Sequence, residues 1–219
     1  MNNIIINKPV IIIGAGGHSK VVADALNCSG YKILGFVTPD AEPGSSFYNS
    51  TILGDDSVII EYLPDDVLLA NGIGALPYQT LRYKIAMNFR DQGYSFVTIV
   101  HPSAIVSQNV ILEEGVQVMS GAVIQTDVKI GCDSIINTGA LIDHDCNIAE
   151  NCQISPGAIL NGGVIIEQES YIGTGAKITQ CVRVNKGCVV AAGTVVYKDV
   201  PRNVMIKQKL DTVIQKQIT

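Results

Sequence analysis

The chain has 219 residues, 47% of them apolar and 16% charged, with 15 Lys and Arg against 20 Asp and Glu for a net charge of −5. That is the composition of a folded chain with room for one large domain or two modest ones, and it excludes the charge excess of a disordered one. An acidic balance without a basic run argues against a nucleic-acid partner, and no apolar run reaches the roughly 18 residues of a membrane span.

In chain order, Ile4–Ile6 and Val10–Ile13 are apolar but are interrupted by Asn7, Lys8 and Pro9. There is no basic start and no small-residue cleavage site, so the expectation is a cytoplasmic protein without membrane insertion. Val10–Ile13 is a β-branched run of the kind buried in a parallel sheet. Gly14-Ala15-Gly16-Gly17-His18 follows, and Ser19–Asn27 reads as a helix with Val21, Val22, Ala25 and Leu26 inward. Tyr31–Val37 and Val67–Ala70 read as further strands. Gln79–Arg90 reads as a helix with Leu81, Ile85, Ala86 and Phe89 inward, stopped at Gly93.

Strand, glycine loop, helix, strand is one half of a nucleotide-binding α/β unit, so residues 1–98 are expected to form a Rossmann-like domain. The spacing G-x-G-G-H is not the full G-x-G-x-x-G/A, because Ser19 or Lys20 stands where the third small residue would be. Two roles remain open for the loop: a tight βα turn, or a phosphate cradle of amides at a helix N-terminus. His18 either hydrogen-bonds a diphosphate or caps the turn.

From Val100 the grammar changes. Every sixth residue from Val100 through Val196 is aliphatic, and four places after each comes a small or short residue such as Ala140, Cys146, Cys152 or Ala158. Neither a helix period nor strand alternation generates a strict six. A hexapeptide β-helix does, each hexad giving one short strand and one corner. Residues 99–203 are therefore expected to be an all-β parallel prism of five to six coils, uninterrupted by large loops, with residues 204–219 as a tail. Cys146, Cys152 and Cys188 fall in the small column, a packing role. Cys28, Cys132 and Cys181 lie elsewhere, and without a CxxC no metal site is expected.

A dry prism must carry its chemistry on faces or corners. His144 and Asp145 fall at outward positions of one hexad, with Gly162 and Gly163 eighteen residues on, which predicts open space beside the pair. An imidazole next to a carboxylate suits general-base work, against the alternative of a surface histidine with no role.

The run Asn137-Thr138-Gly139-Ala140-Leu141-Ile142-Asp143-His144-Asp145-Cys146 resembles the NeuD/PglD-like bacterial sugar acetyltransferases. So do Gly14–His18, His101-Pro102-Ser103-Ala104 and Ser155-Pro156-Gly157-Ala158. The resemblance implies a left-handed parallel β-helix and a homotrimer, with acetyl-CoA between neighbouring prisms and a nucleotide sugar on the N-terminal domain. It makes His144 the base and Asp145 its partner. It puts the nucleotide sugar at Gly16, Gly17, His18 and Asp40, and acetyl-CoA at Gln153, Gly162, Thr174 and Ala192. Gln153 stands where some members have a second histidine. The closing G-x-P-A motif is missing, with Met205–Lys209 near its place. The implied activity is N-acetylation of the 4-amino group of a UDP-linked sugar in bacterial surface-glycan biosynthesis. The alternatives are O-acetylation of a sialic-acid-like sugar and a non-catalytic trimeric scaffold.

Overall fold

The computed structural model describes residues 8–208. Ile4–Ile6, Asn7 and the expected tail from Lys209 onward lie outside the described residues. Five strands, β1 (Val10–Ile13), β2 (Ile33–Val37), β3 (Ser46–Phe47), β4 (Ser50–Gly54) and β5 (Leu68–Asn71), form one sheet in the order β3-β4-β2-β1-β5. All neighbours run parallel except β3 and β4. The short β3–β4 hairpin and a 3₁₀ turn at Asp56–Glu61 had no clear periodicity to reveal them. Interior strand β1 is covered on both sides, with Val10 and Ile12 in one apolar cluster and Ile11 and Ile13 in the other.

Helix α1 (Gly17–Cys28) covers the first cluster with Val22, Ala23, Ala25 and Leu26. Val21, expected inward, is 40% exposed, because the buried stripe runs Ser19, Val22, Ala23, Leu26 and leaves Val21 at its edge. Ser19 occupies the place of the missing third glycine. Its hydroxyl accepts from Gly16 N–H at 2.9 Å and donates to the Gly72 carbonyl at 3.1 Å. The room comes from Gly72 instead, where a Cβ would fall 2.8 Å from Ile13 O and 2.9 Å from Ser19 Oγ.

Helix α2 (Leu81–Asp91) covers the second cluster with Ala86 and Phe89. Leu81, expected inward, is exposed, and Arg82 is buried in its stead. Arg82, Ala86 and Phe89 stand at i, i+4 and i+7, one face of the helix.

The remainder is a parallel β-helix. Two-residue strands stack into walls of seven, six and five, and all but the last pair with the strand eighteen residues away, as in Leu141↔Ile159 and Ile142↔Leu160. From Val118 to Val196 every member of the aliphatic column is buried, while Val100, Val106 and Leu112 in the first coil are partly covered. The small column fills the corners, and Cys146, Cys152 and Cys188 are buried there as free thiols. Burial pushes the Cys152 thiol up to about 12, so it stays protonated and inert. Past Val200, which bridges to Val184, Met205–Ile206 pairs with Val189–Val190 as the last strand of the seven-stranded wall.

The two parts share apolar core. Ile99 and Met119 of the β-helix are fully buried in the cluster beneath α1.

Candidate active site

Leu141–Ile142 belongs to the six-stranded wall, and the chain turns a corner directly after it. Ile142 and Cys146 point inside, so Asp143, His144 and Asp145 between them project into solvent. Asp145 takes the left-handed corner conformation at φ 59°, which Asp tolerates better than most residues. Its carboxylate Oδ2 lies 2.7 Å from His144 Nδ1. A carboxylate only accepts, so Nδ1 carries the proton and Nε2 keeps a lone pair. Asp143 Oδ1 accepts from the His144 backbone N–H at 2.9 Å. The hydrogen bond to Asp145 and the charge of Asp143 raise the imidazole above the ordinary histidine pKa.

One coil on, a Cβ at Gly162 would approach His144 Cε1 to 2.6 Å and Nε2 to 2.7 Å. The space expected beside the pair at Gly162 is therefore filled by the imidazole of His144 itself. Gly162 seats the ring.

The second feature is a cavity of about 710 Å³ at the carboxyl ends of β1, β2 and β5, running from Gly14–His18 to Thr38–Ala41. Clefts outside the carboxyl ends of parallel strands are where α/β sheets bind ligands. Gly14 has φ +98° and turns the chain. Gly16 and Gly17 need no such conformation, and a Cβ at either meets nothing within 4 Å. Their lack of side chains keeps the first-turn amides of α1 open to the cavity, a fit for an anionic group. Asp40 lies exposed in the far lining.

His18, at the near end, is held by residues that sequence reasoning did not single out. Its Nε2 lies 2.9 Å from Gln117 Oε1 of the seven-stranded wall, and Gln117 Nε2 donates to the Asn71 carbonyl at 2.8 Å. Burial and the positive Arg82 nearby push His18 down to about 4, so its ring is neutral. Arg82 donates to the carbonyls of Asn71 and Ile73 at 2.8 and 2.9 Å and reaches the Asp133 carbonyl at 3.4 Å. Arg90 forks onto the Asp133 carboxylate with contacts of 2.5 and 3.0 Å. A cation at an inward position of α2 was the available signal, since such a residue must find buried acceptors.

The remaining expected contacts fall on different walls. Gln153 lies on the seven-stranded wall, 5% exposed with Oε1 unpartnered, in a groove of about 390 Å³ shared with Tyr78, Thr80 and Tyr171. Thr174 and Ala192 are exposed at the next corner, one coil apart, where Gly193 N–H bonds to the Thr174 carbonyl. Gly162 sits at the corner beyond the six-stranded wall, beneath His144.

Residues 9–89 match the model of the PglD N-terminal domain, and residues 145–180 match that of the bacterial transferase hexapeptide, six repeats. The chain is 34% identical over 119 residues to the UDP-N-acetylbacillosamine N-acetyltransferase of Bacillus subtilis, a match spanning 52% of each protein, about half of that relative's length. Among solved structures, it is 38% identical to a histidine variant of perosamine N-acetyltransferase from Caulobacter crescentus in complex with CoA and GDP-perosamine. That match covers 90% of this chain and 92% of the other, at a TM-score of 0.83. The acetyltransferase domain of PglB from Neisseria gonorrhoeae, in complex with acetyl coenzyme A, is 33% identical over 91% of this chain and 95% of its own, at a TM-score of 0.84.

Proposed function

The chain belongs to the NeuD/PglD-like family of bacterial sugar acetyltransferases, and on that premise we propose that it moves an acetyl group from acetyl-CoA to an amino group of a nucleotide sugar, the 4-amino group of a UDP-linked sugar. The observation that carries this reading is the exposed His144–Asp145 pair, with its Nδ1 proton engaged and Nε2 free. Relatives whose names record UDP- and GDP-linked amino sugars and bound CoA support it.

The chemistry follows from the tautomer. The neutral amine attacks the thioester carbonyl, and the tetrahedral species carries a positive nitrogen. His144 Nε2 takes that proton, while Asp145 steadies the imidazolium as it forms. Collapse of the tetrahedral species breaks the carbon–sulfur bond and releases the CoA thiolate, which is protonated in turn. The Gly17 amide at the start of α1 would hold the diphosphate of the acceptor, with Asp40 toward the base.

A single chain leaves this machinery open. The wall that ends at His144 presents Ile105, 65% exposed, and Leu141, 40% exposed, as an uncovered apolar column. Gln153, Thr174 and Ala192 lie on the seven-stranded wall and at the corner that follows it. A second copy packed along the six-stranded wall would bring the dispersed acetyl-CoA contacts together, so the working form is proposed to be a homotrimer. Sedimentation should give three chain masses; a fully active monomer would refute the assembly.

Two substitutions probe the parts separately. Gly162→Ala meets no backbone strain but forces the imidazole off its seat, so kcat should drop by up to about 10²-fold with an unchanged melting temperature. Wild-type kcat there would mean the ring position is irrelevant. Gly17→Val places a branched side chain in the open cavity without strain, so KM for the nucleotide sugar should rise while acetyl-CoA affinity holds. An unchanged acceptor KM would reduce the loop to a turn.

A further inference from the structure

Gln117 joins the two halves of the molecule beside the cavity. It begins a strand of the seven-stranded wall, is 1% exposed, and uses both ends of its amide. Nε2 donates to the Asn71 carbonyl at 2.8 Å, and Oε1 lies 2.9 Å from His18 Nε2. A backbone carbonyl only accepts, so turning the amide over would set two acceptors against each other. Oε1 therefore faces His18, and it too only accepts. The proton of the neutral imidazole must then sit on Nε2.

We propose that Gln117 is a positioning residue that fixes His18 as its Nε2–H tautomer, so that His18 Nδ1 accepts a hydrogen bond from an N–H or O–H of the bound nucleotide's sugar. Donating to the diphosphate would require a proton on Nδ1, and the tautomer held by Gln117 has none there. Among the described residues, Gln117 is the hydrogen-bond partner of the His18 ring, and Nδ1 is engaged by none. The anion has a donor already in the open amide of Gly17 at the start of α1, so a lone pair at the neighbouring residue complements it.

Position points to the sugar rather than the base. Gln117 belongs to the β-helix, so His18 marks the end of the cavity that faces the acetyl-transfer domain, while Asp40 follows β2 in the opposite lining. The acceptor amine must travel toward the β-helix, and the sugar must lie at the His18 end. Sugars that lack a donor at that point would bind less well, which makes His18 a specificity-determining residue. This assignment of the ligand rests on the cavity being the nucleotide-sugar site; the tautomer itself does not.

Long-range ¹⁵N–¹H spectra of the full chain read the tautomer without any substrate, and the Nε2–H pattern is expected for His18. An Nδ1–H pattern, or an imidazolium at neutral pH, would overturn the proposal. Gln117→Glu loses the donor to Asn71 and draws a second proton onto His18, turning Nδ1 into a donor. KM for a UDP-linked 4-amino sugar should then rise about tenfold, the worth of one hydrogen bond, while calorimetric affinity for UDP or GDP, whichever the wild type binds, stays unchanged. Should that variant not fold, His18→Asn, which can place an oxygen near Nδ1, should keep more sugar affinity than His18→Ala. Equal losses of diphosphate and nucleotide-sugar affinity in His18→Ala would put His18 on the phosphates and refute the assignment. A wild type that acetylates no nucleotide sugar would count against the function, and the spectra would still decide the tautomer.

Discussion

Replacing His144 by alanine is expected to lower kcat by about 10²–10⁴-fold, the usual worth of a general base, while the fold persists. Persistence follows from the geometry, since the side chain projects from a corner whose hexad keeps Ile142 and Cys146 inside. Asp145→Asn keeps the shape and removes the charge, so its loss should be smaller. The double variant should be little worse than His144→Ala, because groups that act as one unit do not add. The raised imidazole pKa sets the sign of the pH dependence. The neutral ring is the working form, so activity falls as pH drops through the raised value, at a higher pH than for an ordinary histidine. Asp145→Asn leaves only a neutral acceptor where the largest cause of that shift was a carboxylate, and should move the acid limb of the kcat–pH profile downward. Wild-type turnover in His144→Ala, with chemistry rate-limiting, would end this mechanism.

The largest effect on stability is expected from Ile148→Asp. Ile148 is 1% exposed in the axial column, paired with Ile130 and Ile166 in the coils on either side. An aspartate there has no partner within the dry interior and must either desolvate its charge or bind a proton. The cost of several kcal/mol is comparable with a typical total stability of about 5–15 kcal/mol. Circular dichroism should show a protein unfolded at room temperature or melting far below the wild type. A soluble variant with the wild-type melting curve would mean the axial column has been misread.

The β-helix was legible because its period is local. Each hexad carries its own aliphatic and its own small residue, so the register from Val100 to Val196 can be read without knowing what any coil touches. His144 and Asp145 stood out for the same reason, as polar residues at outward positions within an otherwise repetitive corner. What lay beneath the ring was read less well: the eighteen-residue step found Gly162, but vacancy and occupancy by a neighbouring side chain look alike in a sequence. The seam between the two parts was harder. Gln117 and Met119 sit in hexads like any others, and only the packing of α1 and β5 against that wall gives one a hydrogen-bonding role and the other a place in the core. Arg82 left a trace, a cation in line with Ala86 and Phe89, but its acceptors at Asn71, Ile73 and Asp133 lie on other elements and are met only on folding. Helix α1 misled in a smaller way, because Val21 and Ala23 differ in hydrophobicity in the direction opposite to their burial.

The central claim is acetyl transfer to a sugar amine on a nucleotide. It is tested most directly by incubating the full chain with acetyl-CoA and a panel of acceptors: UDP- and GDP-linked 4-amino sugars, their 4-hydroxy counterparts, and free and CMP-linked nonulosonates. Mass spectrometry with fragmentation then locates any added group. One acetyl group is expected, on the amino nitrogen of a nucleotide-linked sugar, with the UDP-linked 4-amino sugar preferred. Acetylation confined to hydroxyl groups, or no acetylation of any acceptor by a folded chain that binds acetyl-CoA, would contradict it.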